Sequence, residues 1–435
     1  MYKVSSLLGG VLVLICTQLG LAQNAGNLPY SQVMSVGEVN DNSGNIRNFG
    51  MGNLGVSTPN SFSVSFLNPA LLIYNSRVTF EMAVDGRLTN IANAQKSQTV
   101  GTAGLGYLAL ALPITKGWRS AVGLRPYSAV SYGSYSQGTV QNDPNNTPVQ
   151  TGYSGEGNIS EVFFSNGFKI YKGLSLGVSG SYLFGVIDRS SYSIILDTEA
   201  TQQPERLINN IQSNYNGLMF KGGLAYRQSL NKKVNLNLGG SYVLQHDLNV
   251  ESHTVQERRD VNGTVIGDTN PVGDTISSKT ALPGYMQLGL SFDNNKSWVA
   301  GVEYSARKWS EYSNETGQGG FADSYRVAVG GEYTPDAASF DSYLKRVSYR
   351  AGLSYAKTPV NLQGAQVSNA ALHAGFSFPI GSTPRPPEYN QAALNIGLAF
   401  GKNGTTDNNL VRENYVRFNV GLALNSSWFI KPKID

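Results

Sequence analysis

Apolar and polar residues alternate one for one over long stretches of this chain. Between Tyr415 and Asn425, Val416, Phe418, Val420, Leu422 and Leu424 fall on one side, and Arg417, Asn419, Gly421, Ala423 and Asn425 on the other. A period of two is a β-strand with one apolar face. The alternation holds for about ten residues, what a tilted strand needs to cross a bilayer; soluble strands run to about five or six. Trp428 and Phe429 follow where an interfacial aromatic girdle would stand. The pattern recurs at 174–184, where Leu174, Leu176, Val178, Tyr182 and Phe184 oppose Ser175, Gly177, Ser179 and Ser181. It recurs again at 234–245, where Val234, Leu236, Leu238, Tyr242 and Leu244 oppose Asn235, Asn237, Ser241 and Gln245.

From Tyr74 onward fourteen stretches read as strands: 74–88, 99–113, 119–136, 156–170, 173–189, 213–229, 233–249, 278–292, 296–312, 320–335, 344–358, 366–380, 388–402 and 412–427. Tight turns at 115–118, 171–173, 231–233 and 293–297 alternate with longer segments around 137–155, 190–212 and 250–277. Short turns at one end and long loops at the other mark a bacterial outer-membrane barrel. The connection 89–98 is assigned to the long-loop end, so the first strand runs outward and both termini are periplasmic. The fold class is therefore all-β, a transmembrane antiparallel β-barrel of about 14 strands over 73–435.

Before the strands lie two other kinds of sequence. Residues 1–22 read as a secretory signal peptide: Lys3 begins it, Leu7–Ile15 is its apolar stretch, and Gly20 and Ala22 stand at −3 and −1. The one cysteine, Cys16, lies inside it, and Ile15 before it breaks a lipobox. The mature chain has no thiol for a disulfide, nucleophile or metal. Residues 23–72 form a lead-in and hatch. Residues 23–48 show no period, 60–66 suggest a short capped helix, and Asn68-Pro69 is a turn. An apolar segment ahead of a barrel is buried inside it as a plug.

Composition agrees. Of 435 residues, 49 are Gly and 24 Tyr, and only 14% are charged, which suits a small polar inner face with aromatic rims. The glycines have no triplet period, which excludes collagen, and a net charge of +4 argues against nucleic acid as a partner. After residue 22 no apolar run reaches a helical span. A mean hydropathy of −0.21 is no obstacle, since alternating strands average out.

Several motifs go further. They are Asn68-Pro69-Ala70, Leu282-Pro283-Gly284, the run from Trp298 to Tyr304, Trp309-Ser310, the run from Tyr325 to Pro335, and the run from Tyr349 to Tyr355. Together they resemble the FadL/TodX family of outer-membrane transporters for hydrophobic compounds, and the tail after Trp428 resembles that of Bacteroidetes barrels. The resemblance implies a fourteen-stranded barrel with an N-terminal hatch. It further implies passive uptake of a long-chain fatty acid or aromatic hydrocarbon, with lateral exit through the wall at a kinked third strand. The implied path runs past Phe62, Phe66, Asn68, Pro69 and Ala70 of the hatch to Gly123 and Pro126 in strand three. Proline cannot donate to a ladder, and a break at membrane depth needs cover from within. In the outer loop, Leu207, Ile208 and Ile211 share one helical face beside Arg206, where a lipid tail and its carboxylate could be caught. The loop 250–277, rich in Asp, Asn, Thr and Gly, offers no apolar face to share such a site.

Catalytic patterns are missing. The histidines are His246, His253 and His373, with no paired spacing and no phosphate loop. His373 falls on the small-residue face and would point into the lumen, so the chain reads as no enzyme, with no cofactor or metal. The expected partners are outer-membrane lipid and a hydrophobic small molecule. One alternative is a FadL-like barrel serving as a subunit or plug of a secretion machine such as the type nine system, with secretion-system subunits as partners. The other is a general porin.

Overall fold

The computed structural model describes residues 28–40, 43–196, 205–260, 264–267, 270–271, 273–314, 320–362, 364–380, 391–407 and 410–426. The proposed signal peptide with Cys16, and the tail from Trp428, lie outside the described residues.

Fourteen antiparallel strands form one closed sheet. They are β1 (Val78–Ala92), β2 (Ser97–Thr115), β3 (Trp118–Thr139), β4 (Pro148–Tyr171), β5 (Leu174–Ile195) and β6 (Arg206–Ser229). Next come β7, interrupted (Asn235–Val243 and His246–Arg259), and β8, interrupted (Ile276–Leu282 and Tyr285–Asp293). The wall continues with β9 (Trp298–Arg307), β10 (Ser324–Tyr333), β11 (Ser348–Leu362), β12 (Ala365–Pro379), β13 (Gln391–Gly404) and β14 (Arg412–Ser426). β14 closes on β1 from Arg412↔Ala92 to Ser426↔Val78. Side chains obey the predicted phase: Leu176, Val178, Phe220, Leu238, Leu288 and Leu353 are exposed in an outward apolar band.

The wall is uneven. β3 to β6 run 22 to 24 residues, whereas β9 and β10 have 10 each. About 9–11 residues cross a bilayer, so β3–β6 project far beyond it. Much of what the sequence marks as loop at 190–212 and 250–277 is strand: a bilayer does not limit strand length when neighbouring strands keep pairing. The length alternation of connections is looser than expected. At the tall end, Asn93–Lys96 and the link from Leu362 to Ala365 are tight. At the other end, 334–347 is long and carries the one-turn helix Tyr343–Arg346.

The N-terminal segment packs against inward faces. Its helix α1 is Ile46–Gly50, closed by a reciprocal capping box in which Asn45 and Asn48 each accept the other's backbone N–H. The helix expected at 60–66 is absent, because Asn60 accepts the Phe62 N–H at 2.7 Å and makes a turn. A 3-10 helix, Pro69–Tyr74, follows the Asn68 turn, so β1 starts at Val78 rather than at 74. No helix among the described residues is long and apolar enough to cross a membrane, which says nothing of strands.

Candidate functional site

Buried charge fixes the luminal segment to the wall. Arg47 Nε lies 3.2 and 3.1 Å from the two carboxylate oxygens of Glu332 on β10, and Arg350 on β11 donates to the same group at 2.6 Å. On β9 the Glu303 carboxylate accepts the Gly55 and Val56 amides, each at 2.7 Å. Arg326 donates to the Gly52 carbonyl. Arg125 on β3 bridges Glu161 and the Ser43 carbonyl, both at 2.7 Å. Groups that would be costly if buried alone are thus paired.

The inner wall is glycine where the segment's backbone touches it. A Cβ on Gly177 of β5 would lie 2.1 Å from the Ala70 nitrogen, and one on Gly239 of β7 would lie 2.0 Å from the Val56 oxygen. The segment's backbone also comes close to glycines of β4, β10, β11 and β12, and its side chains to glycines of β6, β8, β13 and β14, so ten of the fourteen strands touch the segment through a glycine. The remaining inner surface meets it through side chains, as where Glu81 accepts the Val64 amide at 3.2 Å and Tyr107 the Ile46 amide at 3.2 Å.

The wall itself parts between β2 and β3. Their ladder runs from Thr115↔Trp118 only as far as Leu108↔Leu124. Beyond that point β2 stays with β1 and β3 stays with β4. Pro126 pairs with Ser160, after which the register slips and Tyr127 bulges out of the β4 ladder. The freed edge of β3 is met from within: Glu38↔Ala129 and Val39↔Ser128 form a two-residue antiparallel strand, and the Asn40 amide donates to the Tyr127 carbonyl at 2.8 Å. Just inside, Phe66 meets Tyr107 edge-on at 4.8 Å and Phe163 at 5.5 Å. A Cβ on Gly123 would lie 2.6 Å from Phe163, so this position keeps room for the ring.

Above α1 the lumen turns apolar. Met34 and Val36 pack among Tyr127, Ile159, Leu183, Tyr215 and Leu248. Tyr312 donates or accepts at 2.6 Å with Ser35, and burial pushes its hydroxyl up to about 12. A cavity of 160 Å³ lies beside this core, lined among others by Tyr30, Met34, Glu38, Val39, Tyr285 and Trp309. Sequence reasoning missed this chamber. Its trace was the loss of alternation at 182–187, where Tyr182, Phe184 and Val186 face outward while Leu183 and Ile187 are buried inside.

The residues singled out from the sequence divide into separate groups. Phe66, Gly123 and Pro126 come together at the seam. Phe62 is exposed, beneath Arg77, with its carbonyl accepting from Asn425 at 3.3 Å. Asn68 ties the segment to β6 through the Leu224 carbonyl at 2.9 Å, and Pro69 and Ala70 press on the glycines of β5 and β6. Arg206, Leu207, Ile208 and Ile211 do not form a helical face. They open β6, pairing with Ile194, Ser193, Tyr192 and Arg189, and the two-residue period sends Ile208 to the opposite side from Leu207 and Ile211. Arg206 instead stands over the Tyr192 ring at 5.9 Å. His373 does face inward, 3.1 Å from Ser354 Oγ and edge-on to Phe49 at 5.3 Å. Its Nδ1 meets no carboxylate, so the pair lacks the third group that orients a catalytic base. Among the described residues no cluster of His, Cys, Asp and Glu is suited to a metal.

A closed fourteen-stranded barrel, filled by its own N-terminal segment and parted beside its third strand, is a transmembrane barrel of the FadL type. The BamG family model matches residues 4–435, and the chain belongs to the BamG family. No curated protein matches it by sequence. Among solved structures it is similar to a Pseudomonas aeruginosa FadL homologue, with TM-score 0.57 and 14% identity over 88% of this chain and 98% of the other. It is similar also to the P. putida toluene transporter TodX, with TM-score 0.55 and 13% identity over 88% and 97% of the two chains. A third is the CymD monoaromatic hydrocarbon channel, with TM-score 0.54 and 14% identity over 89% and 99%.

Proposed function

We propose that the protein is an outer-membrane channel for passive passage of a small hydrophobic compound, with its tall end outside and both termini periplasmic. One observation carries this reading: the Glu38–Val39 strand lines the luminal cavity and also occupies the freed edge of β3. A compound held in the cavity is therefore one short strand away from the seam. Release of Glu38–Val39 from Ser128 and Ala129 opens a lateral route into the bilayer at the cost of the Glu38–Arg87 ion pair, 3.8 Å, while the Arg47–Glu332 and Arg125–Glu161 pairs stay in place. The cavity's 160 Å³ selects between cargo classes. A cavity of about 150 Å³ has room for one benzene ring. This one, with Glu38, Arg326, Lys357 and Asn403 among its lining residues, has volume for a monoaromatic molecule and not for a long-chain fatty acid. TodX and CymD are named for cargo of that size.

A second reading has its own support. Glycine contacts on ten strands make the barrel and its filling one rigid body, as suits a subunit of an outer-membrane machine. The same filling disfavours an open porin. Uptake of radiolabelled toluene by cells producing the protein separates the readings. Met34→Trp, which fills the cavity, is expected to lower uptake at least tenfold while the barrel still assembles. Uptake equal to that of cells lacking the protein, with other membrane proteins co-purifying stoichiometrically, favours the subunit.

A further inference from the structure

The outward face of β10–β13 is hollowed. A groove of 480 Å³ lies there, with Val327, Val329, Leu353, Leu372 and Phe400 among its lining residues. Its upper part is low because of one small residue: Ala370 on β12 stands directly between Tyr355 on β11 and Lys402 on β13. Leu353, Leu372 and Phe400 form the next outward row towards the short-turn end.

Position and charge say what covers it. Lys402 is the twelfth residue of β13 counted from Gln391, so it stands about one bilayer thickness from the short-turn end. It is exposed and lies across from Asn414 of β14. Arg412, two residues before Asn414 on the same outward face, is its diagonal neighbour, about 7–8 Å away by strand geometry. Arg412 Nε is buried and has no hydrogen-bond partner. The carboxylates of these strands and of β1 are turned inward: Glu303 to the Gly55 amide, Glu332 to Arg47, Glu413 to Arg87, Glu81 to the Val64 amide and Asp85 to Arg417. The loop carboxylates Asp407 and Asp323 are held by Thr405 and Ser310. Among the described residues, two outward cations with no outward carboxylate on their own strands therefore crown an apolar groove at the membrane interface.

We propose that this face binds a phosphate-bearing, multiply acylated glycolipid of the outer leaflet, with acyl chain in the groove over Ala370 and phosphate between Lys402 and Arg412. Tyr355, which also lines the groove, pairs with Ala370 on the side opposite Lys402 and carries a hydroxyl that can donate to the same headgroup. An arginine and a lysine at diagonal spacing suit a phosphate, which accepts charge-assisted hydrogen bonds from both. The inference rests on the proposed orientation, with the tall end outside, and is independent of cargo passage.

The probe is lipid A carrying both phosphates, compared with the same lipid after phosphatase treatment. Each is added to the full-length barrel in neutral detergent and read by native mass spectrometry. Lys402→Gln with Arg412→Gln is expected to lower lipid occupancy at least tenfold, and so is removal of the phosphates. Ala370→Trp, which fills the groove without altering charge, is expected to do the same. Lys169→Gln, a cation at the opposite end of the wall, should change nothing. Heat-modifiable migration on gels verifies that each variant is folded. Equal occupancy in wild type and the double variant overturns the site, and one-for-one displacement by phosphatidylglycerol overturns the glycolipid. A protease site inserted at 140–147 and cleaved on intact cells tests the orientation separately.

Discussion

Arg47 of the luminal segment and Glu332 of β10 are joined through both carboxylate oxygens, at 3.2 and 3.1 Å, inside the barrel. Arg350 of β11 shares the same carboxylate, so one acid balances two buried guanidinium groups. Removing the acid leaves two guanidinium groups buried without their counter-charge. Glu332→Ala is expected to cost about 3–5 kcal/mol, measured by urea unfolding of the barrel in lipid. Adding Arg47→Met should restore part of the loss, since one of the stranded charges goes with it. A loss under 1 kcal/mol would show that water reaches the group.

Close backbone contact gives a second expectation. A Cβ on Gly352 would lie 2.3 Å from the Met51 carbonyl carbon, and neither strand nor segment can yield there without breaking its own bonds. Gly352→Val should push the segment from its seat and expose Arg47 and Arg77, both now buried, to trypsin. Gly104→Val, where nothing lies within 4 Å, should leave the digestion pattern unchanged.

Tyr312 predicts a pH dependence. Burial raises its hydroxyl to about 12, while an unfolded tyrosine ionises near ~10. The folded chain holds this proton longer than the unfolded one, so its contribution is complete below about pH 10 and is lost as pH rises towards 12. Tyr312→Phe should remove about 1 kcal/mol at pH 7 through the lost bond to Ser35. It should also make the fall in stability between pH 10 and 12 shallower than in wild type. Parallel curves would mean that Tyr312 is hydrated.

Strand order, phase and count were legible in the sequence, because a bilayer demands about ten uninterrupted alternating residues and Val416–Leu424 supplies them. Pro126 was legible too, since its missing N–H marks a ladder fault wherever it stands. The apolar upper lumen was not. Alternation tells which residues share a face, and Leu183 and Ile187 share theirs with Ser181 and Ser179, so the face changes character partway up one strand. α1 escaped for a local reason: its capping box uses Asn48 where Glu or Gln is the usual sign. The helical face expected at 207–211 was misread because Leu207, Ile208 and Ile211 fit a helix and a strand equally well in so short a run. Only the pairing partners Ser193, Tyr192 and Arg189 decide between them.

The seam makes the last prediction, and it concerns the backbone. Each β5 residue from Leu174 to Lys221-paired Ser179 and onward has ladder neighbours in β4 and β6. β2 above Leu108 has a ladder only with β1, so alternate amides between Ser97 and Tyr107 face the opening. Those amides should exchange hydrogen for deuterium at least tenfold faster than amides of β5 at matching height. On β3, Ser128 and Ala129 owe their cover to Glu38 and Val39. Glu38→Pro removes the backbone donor that faces Ala129 and should speed exchange at 127–131 while leaving β5 untouched. Uniform slow exchange across β2 and β5 would mean that the strands close on each other in the membrane, and the lateral route would go with them.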